Sequence, residues 1–417
     1  MKIAVLGAGV SGLTAGRILK DKGYDVTVYE KNGSIGGLAR TRFTHDYLYD
    51  PHGGHIFNSK VQRVMDWVFS IMPKEKWQYT ERNAKIFFNG KFVSYPFELS
   101  LCELETDDSV DCVYDFILSK EGDEPSNFRD WLYWNFGKSI ADYYMIPYNE
   151  KIWAYPLELM ETHWMQGKMP LPTKKEMIKS MLLKDPKERK MPHSSFYYPI
   201  DGGIQTMVDA IGRGVNIKCD TPIESIERDG KKWKINGDEV YGCVISTIPL
   251  PVIGRVLSEI PADINEAIRG LKYNSLNTVL FECPKTDITW LYIPSHDYAS
   301  HRIGYQSTLT PHACPNQDRV GCGALEVIGQ KIEDVEKLVG SNVLPEELGF
   351  RHPIDSEFTE YAYVIHDLDY QRNTSLIKAY FEKQEGFHLL GRWGTWNYKN
   401  MDLCMNDAME LIDKYFA

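Results

Sequence analysis

The chain has 417 residues, of which 43% are hydrophobic and 25% charged, a balance that excludes a largely disordered protein and favours two or more domains. Its formal charge of -11, from 58 acidic against 47 basic residues, repels nucleic acid and anionic membrane surfaces, so neither is expected as a partner. The eight cysteines are scattered without a C-x-x-C pair, and no apolar run approaches the roughly 18 residues of a membrane span, so a reduced, cytoplasmic protein without a zinc site is expected.

In chain order, Ile3 to Leu6 reads as a strand buried on both faces. Gly7-Ala8-Gly9-Val10-Ser11-Gly12 follows at once, Leu13 to Lys22 reads as a helix, and Asp25 to Tyr29 as a second strand ending at Glu30. The three glycines act differently. Gly7 allows the tight turn, Gly9 admits a pyrophosphate to the backbone, and Gly12 lets the helix pack on the sheet. The helix N-terminus offers free N–H groups to phosphate, and Glu30 is placed to accept from a ribose hydroxyl. Strand, turn, helix, strand and acid in register predict a Rossmann dinucleotide site, and the carboxylate at Glu30 disfavours a 2′-phosphate.

Asn83 to Phe97 alternates around Asn89-Gly90 and predicts a hairpin with a type I′ turn. Residues from about 100 to 183 read as mainly helical and rich in aromatics, which are expected in the helical core. Leu183 to Pro192 is dense in charge and reads as a solvated connector. Ser195 to Ile204 leads into a helix reaching Ile211, and strands are expected at Asn216 to Cys219, Ile223 to Arg228, Lys232 to Asn236 and Tyr241 to Ile248. A final helix closes the chain after Gly391-Arg392. His52 and His55 lack a third ligand, so no metal is assigned.

The stretch Lys31 to Thr41, with Gly36-Gly37-Leu38 and Arg40, resembles the second glycine motif of the glutathione-reductase-like and amine-oxidase-like FAD families, which implies FAD as cofactor. Tyr198-Pro199 with Gly202-Gly203, and Ser246-Thr247-Ile248-Pro249, are similar to the re-entry points of the amine-oxidase-like flavoproteins. The fold class implied is α/β: a discontinuous Rossmann-type FAD-binding domain (1–80, 196–252 and 384–417), an inserted helical domain (100–183) and an antiparallel-sheet substrate domain (81–99, 184–195 and 253–383).

Islands outside these motifs resemble the UDP-galactopyranose mutase family: Pro51-His52-Gly53-Gly54-His55-Ile56-Phe57-Asn58, Asn89 to Pro96, Lys151-Ile152-Trp153, His301-Arg302-Ile303, and Gly391 to Asp402. The resemblance implies a UDP-sugar mutase that interconverts pyranose and furanose forms through attack of the reduced flavin N5 on the anomeric carbon. An amine-oxidase-like or desaturase-like oxidoreductase is the alternative. In the mutase reading Arg302 is the bidentate clamp of the diphosphate, Tyr398 contacts the same group, and His55 lies at the flavin ring. Trp153 is expected near the sugar or pyrophosphate, and Phe196 and Tyr197 are candidates for stacking on uracil. Cofactor contacts extend over Ser11, Lys31, Gly54, Ile56, Ile223, Gly391, Arg392, Asn400, Met401 and Asp402. The mutases carry an arginine on a mobile loop, whereas the matching stretch here offers Lys168, which keeps the charge but loses the planar fork. The resemblance further implies polysaccharide biosynthesis as the setting, and leaves room for a homodimer and for NADH or NADPH as reductant.

Overall fold

Ile3, Ala4, Val5 and Leu6 are fully buried, as a strand covered on both faces must be. They form the middle of a five-stranded parallel sheet, ordered Phe387–Leu389, Cys243–Ser246, Lys2–Leu6, Asp25–Tyr29 and Ile217–Lys218. These strands come from three distant stretches of chain, so the Rossmann-like unit is discontinuous. The computed structural model describes residues 1–165, 169, 171–183, 194–335, 342–351 and 353–416.

Alternate residues of the central strand feed two cores. Ile3 and Val5 join the core shared with helices Val10–Asp21, Gln205–Gly212 and Met401–Tyr415. Ala4 and Leu6 join a second core with the three-stranded meander Ile226–Asp229, Lys232–Ile235 and Glu239–Tyr241. Helices Ala262–Gly270 and Tyr370–Phe381 also bury Ile268 and Phe381 in this second core. Both helices fall in the stretch 253–383 expected with the antiparallel sheet, yet their apolar faces cover the parallel one.

The second large sheet has seven strands, ordered Pro353–Ile365, Lys272–Pro284, Val320–Ile328, Arg302–Gly304, Trp290–Tyr292, Ala84–Phe88 and Lys91–Ser94. Its pairings are antiparallel except Trp290–Tyr292 against Ala84–Ile86. The hairpin at its edge turns through Asn89 and Gly90, both at positive φ (49° and 73°), as a type I′ turn requires. Register then places Tyr292 opposite Arg302 and Arg302 opposite Glu326, so these three side chains share one face.

Helices Thr106–Leu118, Phe128–Ile140, Ile146–Trp153 and Lys174–Leu183 pack together around an aromatic core. The last turn of Ile146–Trp153 stops at Ala154, which takes the left-handed conformation. The re-entry strand Ser195–Pro199 pairs with Trp77–Glu81, and the positive-φ Gly202 and Gly203 turn the chain into helix Gln205–Gly212.

The first glycine turn gives a test of its own division of labour. A Cβ on Gly12 would lie 2.0 Å from the Gly7 carbonyl oxygen, whereas one on Gly9 meets nothing nearer than Gly37 Cα at 3.9 Å. Gly12→Ala is expected to lower the melting temperature sharply, beyond the roughly 1–3 kcal/mol usual for overpacking. Gly9→Val is expected to fold normally and purify without flavin. Normal flavin content in Gly9→Val, read from the visible spectrum, would contradict that assignment.

Candidate functional site

The cleft is built first from the two glycine turns. Gly36 N–H donates to the Ala8 carbonyl at 2.8 Å, and Gly9 and Gly36 form an isolated parallel bridge. Gly37 has room only because it lacks a side chain, since its Cβ would lie 3.1 Å from Gly9 Cα. Above this cradle opens a cleft of about 880 Å³, in the upper part of the range for small-molecule sites.

Several features fit FAD. Helix Val10–Asp21 starts at Gly9 without a side-chain cap, which leaves its first amides available to a pyrophosphate. Glu30, 6% exposed, accepts from the Ala8 and Asn32 amides, both at 3.0 Å; a carboxylate retains further lone pairs for a ribose. Of the residues assigned to the cofactor from the sequence, Gly7, Gly9, Ser11, Lys31, Gly36, Gly37, Leu38, Arg40, Gly54, Ile56 and Ile223 line the cleft, together with Arg392, Asn400, Met401 and Asp402. Gly12 and Gly391 stand behind the wall: Gly12 packs on Gly7, and Gly391 packs against the Ser11 hydroxyl. Asp402, in the first turn of helix Met401–Tyr415, is oriented by Ser59, whose hydroxyl donates to it at 2.8 Å.

A buried carboxylate sets the floor. Asp50, 1% exposed, accepts from the Thr41 hydroxyl (2.7 Å), the Tyr198 hydroxyl (2.8 Å) and the His55 amide (3.1 Å). Burial pushes its pKa up to about 6, with those hydrogen bonds opposing the rise. His55 meets the Gly53 carbonyl through Nδ1 at 2.6 Å, so Nδ1 carries the proton and donates. Burial, and then the nearby Arg392 and Arg302, lower its pKa to about 4. His52 is also held neutral, near 3, by burial and by Arg40: its Nε2 accepts from Arg40 at 2.7 Å and its Nδ1 meets Thr359 Oγ1 at 2.7 Å.

The far wall is aromatic and cationic. Arg302 Nε and Nη2 donate to the two Glu326 oxygens at 3.0 and 2.7 Å, and Nη2 also reaches the Tyr363 hydroxyl at 3.2 Å. Glu326 is 1% exposed. Burial opposes the Arg302 charge, but Glu326 and then Tyr363 hold its pKa well above the usual value. Arg302 lines the cleft with its Nε–Nη2 edge turned to Glu326, so the diphosphate clamp inferred from the sequence would have to use the Nη1 donors. Tyr398 also lines the cleft, with the Arg392 guanidinium 4.4 Å from its ring centroid.

Three expected substrate contacts lie elsewhere. Trp153 is 4% exposed; its ring packs edge-on behind Tyr363 and Tyr398 and its N–H donates to Asn149 at 3.0 Å. Phe196 is fully buried against Trp290, which leaves no free face for a base. Tyr197, on the opposite face of the same strand, packs on Phe69 and Tyr79. Lys168 lies outside the described residues. The sequence reading missed Arg82, in the link between strands Trp77–Glu81 and Ala84–Phe88, and Trp290, Glu326, Tyr361 and Tyr363, which sheet register brings to the site; none carries a local signal.

Comparison with known proteins follows the same division. A family model described as an NAD(P)-binding Rossmann-like domain matches residues 5–69, and one described as flavin containing amine oxidoreductase matches residues 151–323. A probable UDP-galactopyranose mutase of Klebsiella pneumoniae is 29% identical over 436 aligned positions, covering 100% of this chain and 94% of that protein. The UDP-galactopyranose mutase of Mycoplasma pneumoniae is 26% identical over 38% of this chain and 41% of its own length. Protoporphyrinogen oxidase 2 of Arabidopsis thaliana is 28% identical over 35% of this chain and 31% of its own length. With these last two the match thus spans less than half of the relative. Among solved structures, a reduced UDP-galactopyranose mutase superposes with a TM-score of 0.88 at 23% identity, covering 99% of this chain and 93% of that one. The similarity to the mutases therefore runs the length of the chain, and the fold is theirs.

Two outcomes follow from the site's charges. Arg302→Ala strands Glu326 as a buried unpaired carboxylate and is expected to cost about 3–5 kcal/mol of stability, whereas Arg302→Met combined with Glu326→Leu costs much less; thermal unfolding of both variants decides. The folded pKa values of His52 and His55 lie below the unfolded value near 6.5. Their contribution is therefore present above pH 6.5 and is lost as pH falls, towards 4 for His55 and towards 3 for His52, while Asp50, raised to about 6, works in the opposite sense below pH 6. Melting measured from pH 8 to 4 should decline in acid, and less steeply in His52→Gln and His55→Gln; equal slopes in all three would contradict the neutral histidines.

Proposed function

We propose that this protein is an FAD-dependent UDP-sugar mutase that interconverts the pyranose and furanose forms of its substrate, with UDP-galactose the first candidate. The observation that carries the reading is the junction of a dinucleotide cradle with a wall of tyrosines and guanidiniums, in a chain similar end to end to a probable UDP-galactopyranose mutase. A flavin cradle alone serves many redox enzymes. A far wall holding Arg82, Arg302 and Arg392 beside Tyr361, Tyr363 and Tyr398 suits a ligand that is both hydroxylated and anionic, rather than an apolar amine or a carotenoid.

The residues present divide the work. Gly7, Gly9 and Gly36-Gly37 would admit the FAD pyrophosphate, Glu30 would take a ribose hydroxyl, and the strip Gly54-His55-Ile56 would lie along the ring system. FAD, when bound and reduced, would supply a nucleophilic N5 for the anomeric carbon. The protein's own part is to hold the departing diphosphate where negative charge develops, through guanidinium and phenol donors set in advance. Tyr398, gripped on its face by Arg392, and Tyr363, touching Arg302, are the phenols placed for it. The neutral His55 keeps a proton on Nδ1 and leaves Nε2 as an acceptor. NADH or NADPH is proposed as the source of electrons.

The test is conversion of UDP-galactofuranose by the purified holoprotein, with and without dithionite, followed by anion-exchange chromatography. UDP-galactopyranose is expected only under reduction. No conversion, together with a flavin spectrum perturbed by UDP, would move the reading to another UDP-sugar. No conversion and no response to UDP would refute it.

A further inference from the structure

The strongest unexplained group in the cleft is Arg82. Sheet register sets its surroundings: Ala84 pairs with Trp290 and Ile86 with Tyr292, while Tyr292 pairs with Arg302. The Arg82 guanidinium lies 4.9 Å from the Trp290 ring centroid and 5.7 Å from that of Tyr95. Its Nη2 donates to the Tyr292 hydroxyl, and its Nε is buried with no partner. Among the described residues no carboxylate pairs with it. Arg302, on the other side of Tyr292, is by contrast neutralised by Glu326, and Arg42 by Asp355 and Glu357.

A partly buried guanidinium lacking an anion is costly unless a ligand supplies one. Stacking on an indole covers a face of the cation and leaves in-plane donors for a planar or tetrahedral oxyanion. Arg82 also lines the cleft beside Gly54, His55 and Ile56.

We infer that Arg82 is an oxyanion-binding residue of the cleft that receives a charged group of the nucleotide-sugar substrate, either its diphosphate or a carboxylate on the sugar. This rests on the nucleotide-sugar reading of the cleft. It makes Arg82 the uncompensated positive charge beside Tyr292, where Arg302 contributes a paired one.

The experiment titrates the holoprotein, Arg82→Gln and Arg82→Lys with UDP, UDP-galactose, UDP-galacturonic acid and inorganic pyrophosphate by calorimetry, with flavin content and melting temperature read in parallel. If the diphosphate is the partner, Arg82→Gln weakens every ligand by about tenfold or more and Arg82→Lys recovers part of the loss. If a sugar carboxylate is the partner, only UDP-galacturonic acid weakens. Affinities for all four ligands within about twofold of wild type, with a lowered melting temperature, would make Arg82 a stacking residue and overturn the inference. Wild-type binding of pyrophosphate without any uridine ligand would refute the nucleotide-sugar reading, and the pyrophosphate arm would still decide Arg82. Binding of none of the four would refute both.

Discussion

The carboxylate of Asp50 is the point on which the cleft depends. Its three donors come from chain segments with different duties: Thr41 follows the second glycine turn, His55 lies on the strip crossing the cleft, and Tyr198 belongs to the strand by which the chain re-enters the Rossmann-like unit. Tyr198 in turn accepts from Gln306 at 2.7 Å, which brings in the antiparallel sheet. Hydrogen bonds to a charged group contribute about 1.5–3 kcal/mol each, and burial of the charge opposes them. The pKa near 6 records that contest: burial outweighs the donors, yet the group is still ionised at neutral pH. A protonated Asp50 would give up an acceptor at the place where three segments converge.

From that hub the strip Gly53-Gly54 runs close against the far wall. A Cβ on Gly53 would stand 3.4 Å from Glu326 Oε1, and one on Gly54 3.4 Å from Trp290 Nε1. Gly53 also takes φ +89°, a conformation that favours glycine. The strip is thus fixed between the acid that neutralises Arg302 and the indole that supports Arg82. Its histidine is neutral because burial, and then the nearby Arg392 and Arg302, disfavour the charged form. A chain of net charge -11 can still present a locally positive cleft, because Lys31, Arg40, Arg82, Arg255, Arg302, Arg392 and Lys399 outnumber Glu30, Glu357, Glu360 and Asp402 along its lining.

What the sequence discloses and what it hides divide along chain distance. The dinucleotide cradle is legible because strand, glycines, helix and acid are consecutive, and each constrains the next within a few residues. The Asn89-Gly90 hairpin is legible for the same reason. The Arg302–Glu326 pair is a product of register between strands, and the Arg82–Trp290 contact follows from the link that leads into a strand paired with Trp290; alternation within a strand does not announce its neighbour. Phe196 and Tyr197 show the limit in another form: period two says that one of them faces inward, but not onto what. The inward one meets Trp290 rather than open space. Trp153 stands out by its motif, but its helix ends one layer too deep, so it supports Tyr363 and Tyr398 instead of lining the cleft.

That division bears on how one fold serves different chemistries. The cofactor end of the cleft is made from local turns, and its backbone cradle is indifferent to what reacts beyond it. The far end is assembled from the faces of four strands, Trp290–Tyr292, Arg302–Gly304, Val320–Ile328 and Pro353–Ile365, with helices behind them. A single change in such a face moves a charge or an aromatic surface without disturbing the turns that hold the flavin. Arg302 alone is poorly suited to set specificity, because altering it exposes a buried carboxylate and the cost falls on stability first. Arg82 has no such partner to strand. A guanidinium that can be changed without unbalancing the core is the kind of position at which substrate preference can drift while the fold and its cofactor cradle stay fixed.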